Sequence, residues 1–186
     1  MKRLQLLLSL MLLTAPALAA PASWHSLAAS SSIDWTASWQ GTPVKGQFKD
    51  FTVTGHIDAA HPADGTLELV VETASINAAS SDVTRALHGE QWFGVADFPK
   101  AQFKGTLKGT PPAMTLQGSL QIKGHEKTLS LPLTLTRQKD QLLLQGNFTL
   151  DRTDFGIGTG QWKSGSMIAT EVHVHFSILL APGESG

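Results

Sequence analysis

Beyond its first thirty residues this chain alternates apolar and polar side chains with a period of two, in one short run after another, and that pattern selects β-strands over helices. Ile33, Trp35, Ala37 and Trp39 share one phase of residues 31–40, with Asp34, Thr36 and Ser38 in the other. Val44, Gly46 and Phe48 resume the rhythm after a turn at Gly41-Thr42-Pro43. Phe51 is out of phase with Phe48, which predicts a bulge or bend at Lys49-Asp50 ahead of Val53, Gly55 and Ile57. A turn at residues 61–65 precedes Leu67, Leu69, Val71 and Thr73 on one face. Later runs place Ala101, Phe103, Gly105 and Leu107 together, then Met114 to Ile122, Leu129 to Leu135, and Leu142 to Phe148, each at every second residue. A last strand is expected over residues 168–178. Pro132 lies on the opposite face of its run and donates no ladder hydrogen bond, so an edge, a bulge or a distorted register is expected there.

Residues 80–98 break the pattern. Ser81 or Asp82 is placed to cap a short helix, with Val83, Ala86 and Leu87 at helical spacing, Gly89 limiting its length and Trp92-Phe93 supplying an apolar plug. Consecutive short strands favour antiparallel pairing, because parallel neighbours need a crossover each time. The expectation is an all-β antiparallel barrel of about eight strands, with a short helical insertion near residues 81–92. A hollow barrel and a packed one require the same alternation, so both readings stand.

Composition supports one domain. Of 186 residues 41% are hydrophobic and 16% charged, with 17 glycines and 9 prolines, a balance suited to short strands and tight turns. The formal net charge of -1 gives no electrostatic reason to expect nucleic acid as a partner. Met1-Lys2-Arg3, the apolar run from Leu4 to Leu13 and Ala17-Leu18-Ala19 have the three-part form of a cleaved secretory signal. Residues 1–19 are accordingly read as that signal and residues 20–186 as a single barrel domain bound for a compartment outside the cytoplasm. Cysteine is absent, which excludes disulfides, thiolate chemistry and a lipobox anchor.

Motifs for enzymatic chemistry are scarce. No GxxxxGK[ST] loop, HExxH helix or GxSxG elbow occurs, and no Ser-His-acid order or carboxylate pair can be placed. The glycines of residues 156–160 precede no convincing helix and read as a bend or a close backbone approach. His173 and His175 share a strand face, yet nothing identifies a third ligand, and no metal site or other cofactor is assigned. Arg152, within Asp-Arg-Thr-Asp, either braces a turn through charge-assisted bonds or meets a polar headgroup at a barrel mouth. Arg85 is a second headgroup candidate.

Several pieces, taken in order, resemble the YceI-like family of polyisoprenoid-binding proteins. They are Val44-Lys45-Gly46-Gln47-Phe48 with Phe51, Leu87-His88-Gly89-Glu90-Gln91-Trp92-Phe93, Phe98-Pro99-Lys100-Ala101-Gln102-Phe103, Gly118-Ser119-Leu120-Gln121-Ile122-Lys123-Gly124, Leu129-Ser130-Leu131-Pro132, and Leu150-Asp151-Arg152-Thr153-Asp154-Phe155-Gly156-Ile157-Gly158. The resemblance implies a lipocalin-like extended barrel in the periplasm that binds or transports an isoprenoid or quinone-like lipid without catalysis, with transient contact to envelope membranes or proteins. Where many members have Asp-x-His-Leu in the helical insertion, this chain has Thr84-Arg85-Ala86-Leu87, so a ligand contact belonging to that Asp or His does not carry over. Combined with the alternation, the resemblance makes Trp35, Trp39, Phe48, Leu69, Val71, Trp92, Phe93, Phe103, Leu120, Leu131, Leu144, Phe148 and Phe176 the candidate ligand-binding residues. The competing reading is a packed barrel whose rim binds a partner in an envelope stress response.

Overall fold

The computed structural model describes residues 22–183; the expected signal, residues 1–19, lies outside them. Along the described residues run β1 (Ala22–Ser26), β2 (Ser32–Trp39), β3 (Thr42–Phe48), β4 (Phe51–Ile57), β5 (Thr66–Glu72), β6 (Ile76–Ala78), α1 (Ser81–His88), β7 (Lys100–Thr110), β8 (Ala113–Ile122), β9 (His125–Gln138), β10 (Gln141–Asp151) and β11 (Glu171–Pro182).

These strands form eight antiparallel staves. β1 and β2 lie end to end along β11, which pairs Ser177 with Ser32 and then Leu180 with Ser26. β3 and β4 form the next stave, against β2 and β1, and β6 and β5 continue it against β3 and β4. β7, β8, β9, β10 and β11 follow singly, so the ring closes and leaves no free sheet edge along most of its length.

Three staves are bent, each for a local reason. The phase slip between Phe48 and Phe51 produces the expected bend at Lys49-Asp50. Short 3-10 turns at Ala28–Ser30 and Thr73–Ser75 bend the other two. β1 was not legible as a strand, because in a Ser- and Ala-rich stretch Trp24 is its one buried residue. The last strand begins at Glu171 and continues to Pro182, later than expected; Ile168 makes only an isolated bridge to Trp39. The helix cap is Ser80, one residue before the expected pair: its Oγ accepts from Val83 N at 3.5 Å. The helix itself stops at His88, and turns carry residues 89–97 over the barrel end.

A line of three glycines, interrupted by one leucine, lets the sheet curve. Gly55, Leu67, Gly105 and Gly118 stand opposite one another across β4, β5, β7 and β8. A Cβ on Gly118 would fall on Lys104 O and 2.5 Å from Gly105 Cα, so the two backbones approach where side chains would hold them apart. Below this line the interior is packed. Ile57, Leu107, Leu142 and Leu180 have 0% exposure, and Trp24 Nε1 donates to Ile57 O at 2.9 Å.

Gly118→Ala is therefore expected to destabilise the protein by about 1–3 kcal/mol, because backbone rather than a mobile side chain stands in the way. Urea unfolding followed by tryptophan fluorescence checks this; an unchanged midpoint would show that the sheet relaxes freely at this point.

Candidate functional site

Above the packed end the inward-facing residues do not fill the barrel. Three apolar spaces succeed one another from the barrel's middle to its upper rim. The innermost, about 100 Å³, is lined by Ile33, Leu69, Phe103, Leu120, Leu131, Leu144, Phe148, Phe176 and their neighbours. The middle one, about 150 Å³, shares Ile33, Leu69, Leu120, Phe148 and Val174 with it and adds Phe48, Val71, Phe93 and Leu150. The outer one, about 250 Å³, lies between β2, α1 and Trp162, and shares Trp35, Ala37, Leu87, Trp92 and Ile168 with the middle one. Leu69, Phe48, Phe148, Phe176 and Val174 face inward yet remain half-exposed, because no side chain stands in front of them.

All thirteen apolar residues singled out in the sequence line these spaces. Trp39 differs from the rest by being 41% exposed at the rim, edge-on to Trp162 with ring centroids 6.5 Å apart. The structure adds Ile33, Leu133, Val174 and Ile178, which continue the same alternation, and Ile157 and Ile168, which lie in loops where no periodicity marks them.

The upper end is organised around Arg152, which is 2% exposed. All five of its N–H groups are used. Nε donates to Ala169 O at 3.0 Å, Nη1 to Ile157 O at 2.7 Å and Gly158 O at 3.1 Å, and Nη2 to Trp162 O at 2.5 Å and Ile168 O at 2.8 Å. Its Cζ sits 5.5 Å from the centre of the Trp92 ring. Burial lowers the guanidinium pKa from its ordinary value, and neighbouring Asp151 partly restores it. Arg152 thus braces the 151–170 loop and has no donor left for a headgroup. A Cβ at Gly158 would overlap Arg152 Nη1, which explains the glycine there. Arg85, the other candidate, is exposed on α1 and paired with Asp82 Oδ1 at 3.1 Å, outside the passage.

The plug is tied to this loop. Gly158 N and Thr159 N donate to Gln91 O at 2.7 and 2.9 Å, and Trp162 Nε1 donates to Gln91 Oε1 at 3.1 Å. Phe93 packs edge-on against Phe48, ring centroids 5.8 Å apart. Among the described residues two buried side-chain polar atoms have no partner, Trp35 Nε1 and His88 Nε2, and of these residues Trp35 lines the passage. His173 and His175 lie on the outer surface, where Nδ1 of each is 2.8 Å from Thr149 Oγ1 and Asn147 Oδ1 respectively. Among the described residues no group of three His, Asp or Glu could hold a metal ion.

A closed eight-stave antiparallel barrel, packed at one end and hollow with apolar walls at the other, is the architecture of a lipocalin-like protein. Residues 24–180 match the YceI-like domain, and the chain belongs to that family. BcnA of Burkholderia cenocepacia has a similar structure, with a TM-score of 0.79 and 26% identity over 84% of this chain and 99% of that one. A polyisoprenoid binding domain from Saccharophagus degradans superposes with a TM-score of 0.68 over 88% of this chain and 99% of that one, at 16% identity, a likeness of fold alone. A UPF0312 protein of Yersinia pestis (strain Pestoides F) is 30% identical over 94 residues, 50% of this chain and 49% of that protein. The chain spans about half the length of the curated relatives it matches.

Replacing Arg152 by Lys is expected to destabilise the fold by at least about 3 kcal/mol, since an ammonium keeps the charge but offers three donors to a site built for a planar five-donor fork. Chemical unfolding of Arg152→Lys tests this, and near-native stability would show that the carbonyl cage tolerates a point charge. Asp151 gives a pH signature. The Thr153 hydroxyl, against some burial, holds its carboxylate below its usual pKa, helped by Thr153 N–H, Thr170 and Arg152. A depressed folded pKa contributes stability that is present above the unfolded value, about 4, and is lost as pH falls through the folded one. The difference in melting temperature between wild type and Asp151→Asn should therefore be constant above about pH 5 and vanish on further acidification. A pH-independent difference would contradict this.

Proposed function

We propose that this protein is a non-enzymatic periplasmic carrier that holds the apolar tail of a single isoprenoid or quinone-like amphiphile inside its barrel. One observation carries the reading: an apolar, aromatic-lined series of spaces inside the barrel, above a closely packed floor. The inner two, about 100 and 150 Å³, are narrower than the usual 300–1,000 Å³ of compact-ligand pockets, and suit a slender flexible chain. Burying such a chain contributes about 0.8 kcal/mol per methylene-sized unit, so ten or more units offset an association cost of about 4–15 kcal/mol only in part or with a modest surplus. That range suits loading and release.

The head of the ligand is constrained by what the walls lack. Arg152 is saturated, so among the described residues an anionic group has no free buried cation to meet. A neutral ring or carbonyl fits the wider outer space, whose lining surface is apolar throughout. The periplasmic assignment rests on family membership and on the signal-like residues 1–19.

Native mass spectrometry and organic extraction after mild purification should reveal one retained amphiphile per chain. Leu69→Trp, which places a ring where the two inner spaces meet, should weaken rebinding at least about tenfold while the melting temperature holds or rises. A homogeneous protein with no retained lipid and no affinity for a panel of isoprenoid alcohols and quinones would overturn the carrier.

A further inference from the structure

Among the described residues the ladder of the barrel wall is interrupted twice: at β6, which pairs with β3 alone and whose other edge α1 covers through Thr84 Oγ1 on Ala78 N and O, and between β9 and β10, beside the inner spaces. β9 and β10 pair from Gln138 and Gln141 as far as Leu133 and Gly146, where the ladder ends. Both strands continue: residues 125–132 stay bound to β8 alone, and residues 147–151 to β11 alone. Pro132 stands at the break. Leu135 N donates to Pro112 O on the β8 side, so by strand alternation Thr128, Ser130 and Pro132 direct their backbone groups toward β10. Proline has no N–H to continue that ladder.

Behind this seam the inward residues belong to the passage. Leu131 and Phe148 line the innermost space, Phe148 and Leu150 the middle one, and Leu129, Phe148 and Leu150 are only half-buried. At its far end the seam is bridged by Lys127 Nζ and Asp154 Oδ1, 3.1 Å apart, with side chains 45% and 48% exposed. An exposed ion pair of this kind is a weak tie.

The other exits are harder to open. The lower end is closed by fully buried aliphatic side chains. The upper end is held by Gly158 N and Thr159 N on Gln91 O, by Trp162 Nε1 on Gln91 Oε1, and by Arg152 over Trp92. Opening the seam breaks no ladder hydrogen bond.

We propose that the β9–β10 seam is the side entrance through which the apolar tail enters and leaves the inner spaces. Leu129 and Phe148 form its threshold and the Lys127–Asp154 pair its latch. This inference rests on the carrier reading above and adds a route to it.

The absence of cysteine makes a direct test clean. In Ser130→Cys/Thr149→Cys the two thiols stand on opposite banks of the seam, and a short, cleavable bifunctional maleimide can staple them. Thr136→Cys/Leu143→Cys, a cross-strand pair within the intact ladder, is the control. Uptake and release of retinol, a naturally fluorescent and neutral isoprenoid alcohol, are followed by stopped flow. Stapling the seam should slow both rates by about tenfold or more at unchanged affinity, cleavage of the staple should restore them, and the control staple should have no effect. As a second measurement that introduces no cysteine, Lys127→Gln should speed uptake. Unchanged rates in the stapled protein and in Lys127→Gln would overturn the entrance while leaving the carrier intact. Failure of wild-type protein to bind the probe or any extracted lipid would overturn the carrier, and the entrance with it.

Discussion

A buried guanidinium whose five donors all end on backbone carbonyls organises the hollow half of this protein. Arg152 gathers Ile157, Gly158, Trp162, Ile168 and Ala169 around one point, and its flat face rests on Trp92 from the opposite crossing. A charge this deeply buried is tolerable because carbonyl dipoles replace water on every donor. The geometry also fixes the loop: a planar fork accepts few arrangements of five oxygens. The loop contributes Ile157 and Ile168 to the passage wall, so one residue whose donors are all spent on carbonyls holds apolar surfaces at a set distance from the barrel. Without such a brace, apolar walls facing a void would tend to collapse toward each other.

The barrel divides its labour along its axis. At the lower end large aliphatic side chains meet across a narrow cross-section, and Trp24 closes the floor with its indole bonded to Ile57. Interlocking of this kind contributes burial energy that does not depend on an occupant. Higher up, aromatic rings take over, and Phe48 with Phe93 and Phe148 with Phe176 meet edge-on or tilted rather than interdigitating. Rings held this way leave gaps that aliphatic chains would fill. The glycine line across β4, β7 and β8 lets the packed part curve tightly without side chains colliding, so closure does not depend on the hollow part.

Part of this could be read from period two and its interruptions. The bend at Lys49-Asp50 follows from a phase slip, the plug at Trp92-Phe93 from the break in alternation, and the apolar passage positions from alternation combined with the family resemblance. Other features depended on contacts between residues distant in the chain. Arg152 has acceptors five to seventeen residues away, so brace and headgroup partner look alike until the loop is folded. β1 carries too little apolar signal to stand out, since it borrows its stability from β11 and β4. Whether the inward faces interlock is invisible to alternation, which reports direction and not separation. Pro132 shows the limit well: its missing N–H announces a break in pairing, but the side on which the break falls depends on which neighbour that N–H would have faced.

Unfilled apolar space is a standing cost to the folded chain, because walls facing a void lose dispersion contacts that neighbours would otherwise supply. A tail threaded past Leu69, Phe148 and Val174 would return those contacts to residues that are half-exposed without it. Occupancy and stability are then linked through the same side chains, and whatever binds the folded barrel alone raises its resistance to unfolding. The linkage is strongest in the upper half, where the walls are incomplete, and weakest at the packed floor. A barrel arranged in this way stays folded when empty through its lower core and Arg152, and keeps its remaining stabilising contacts for the molecule it holds.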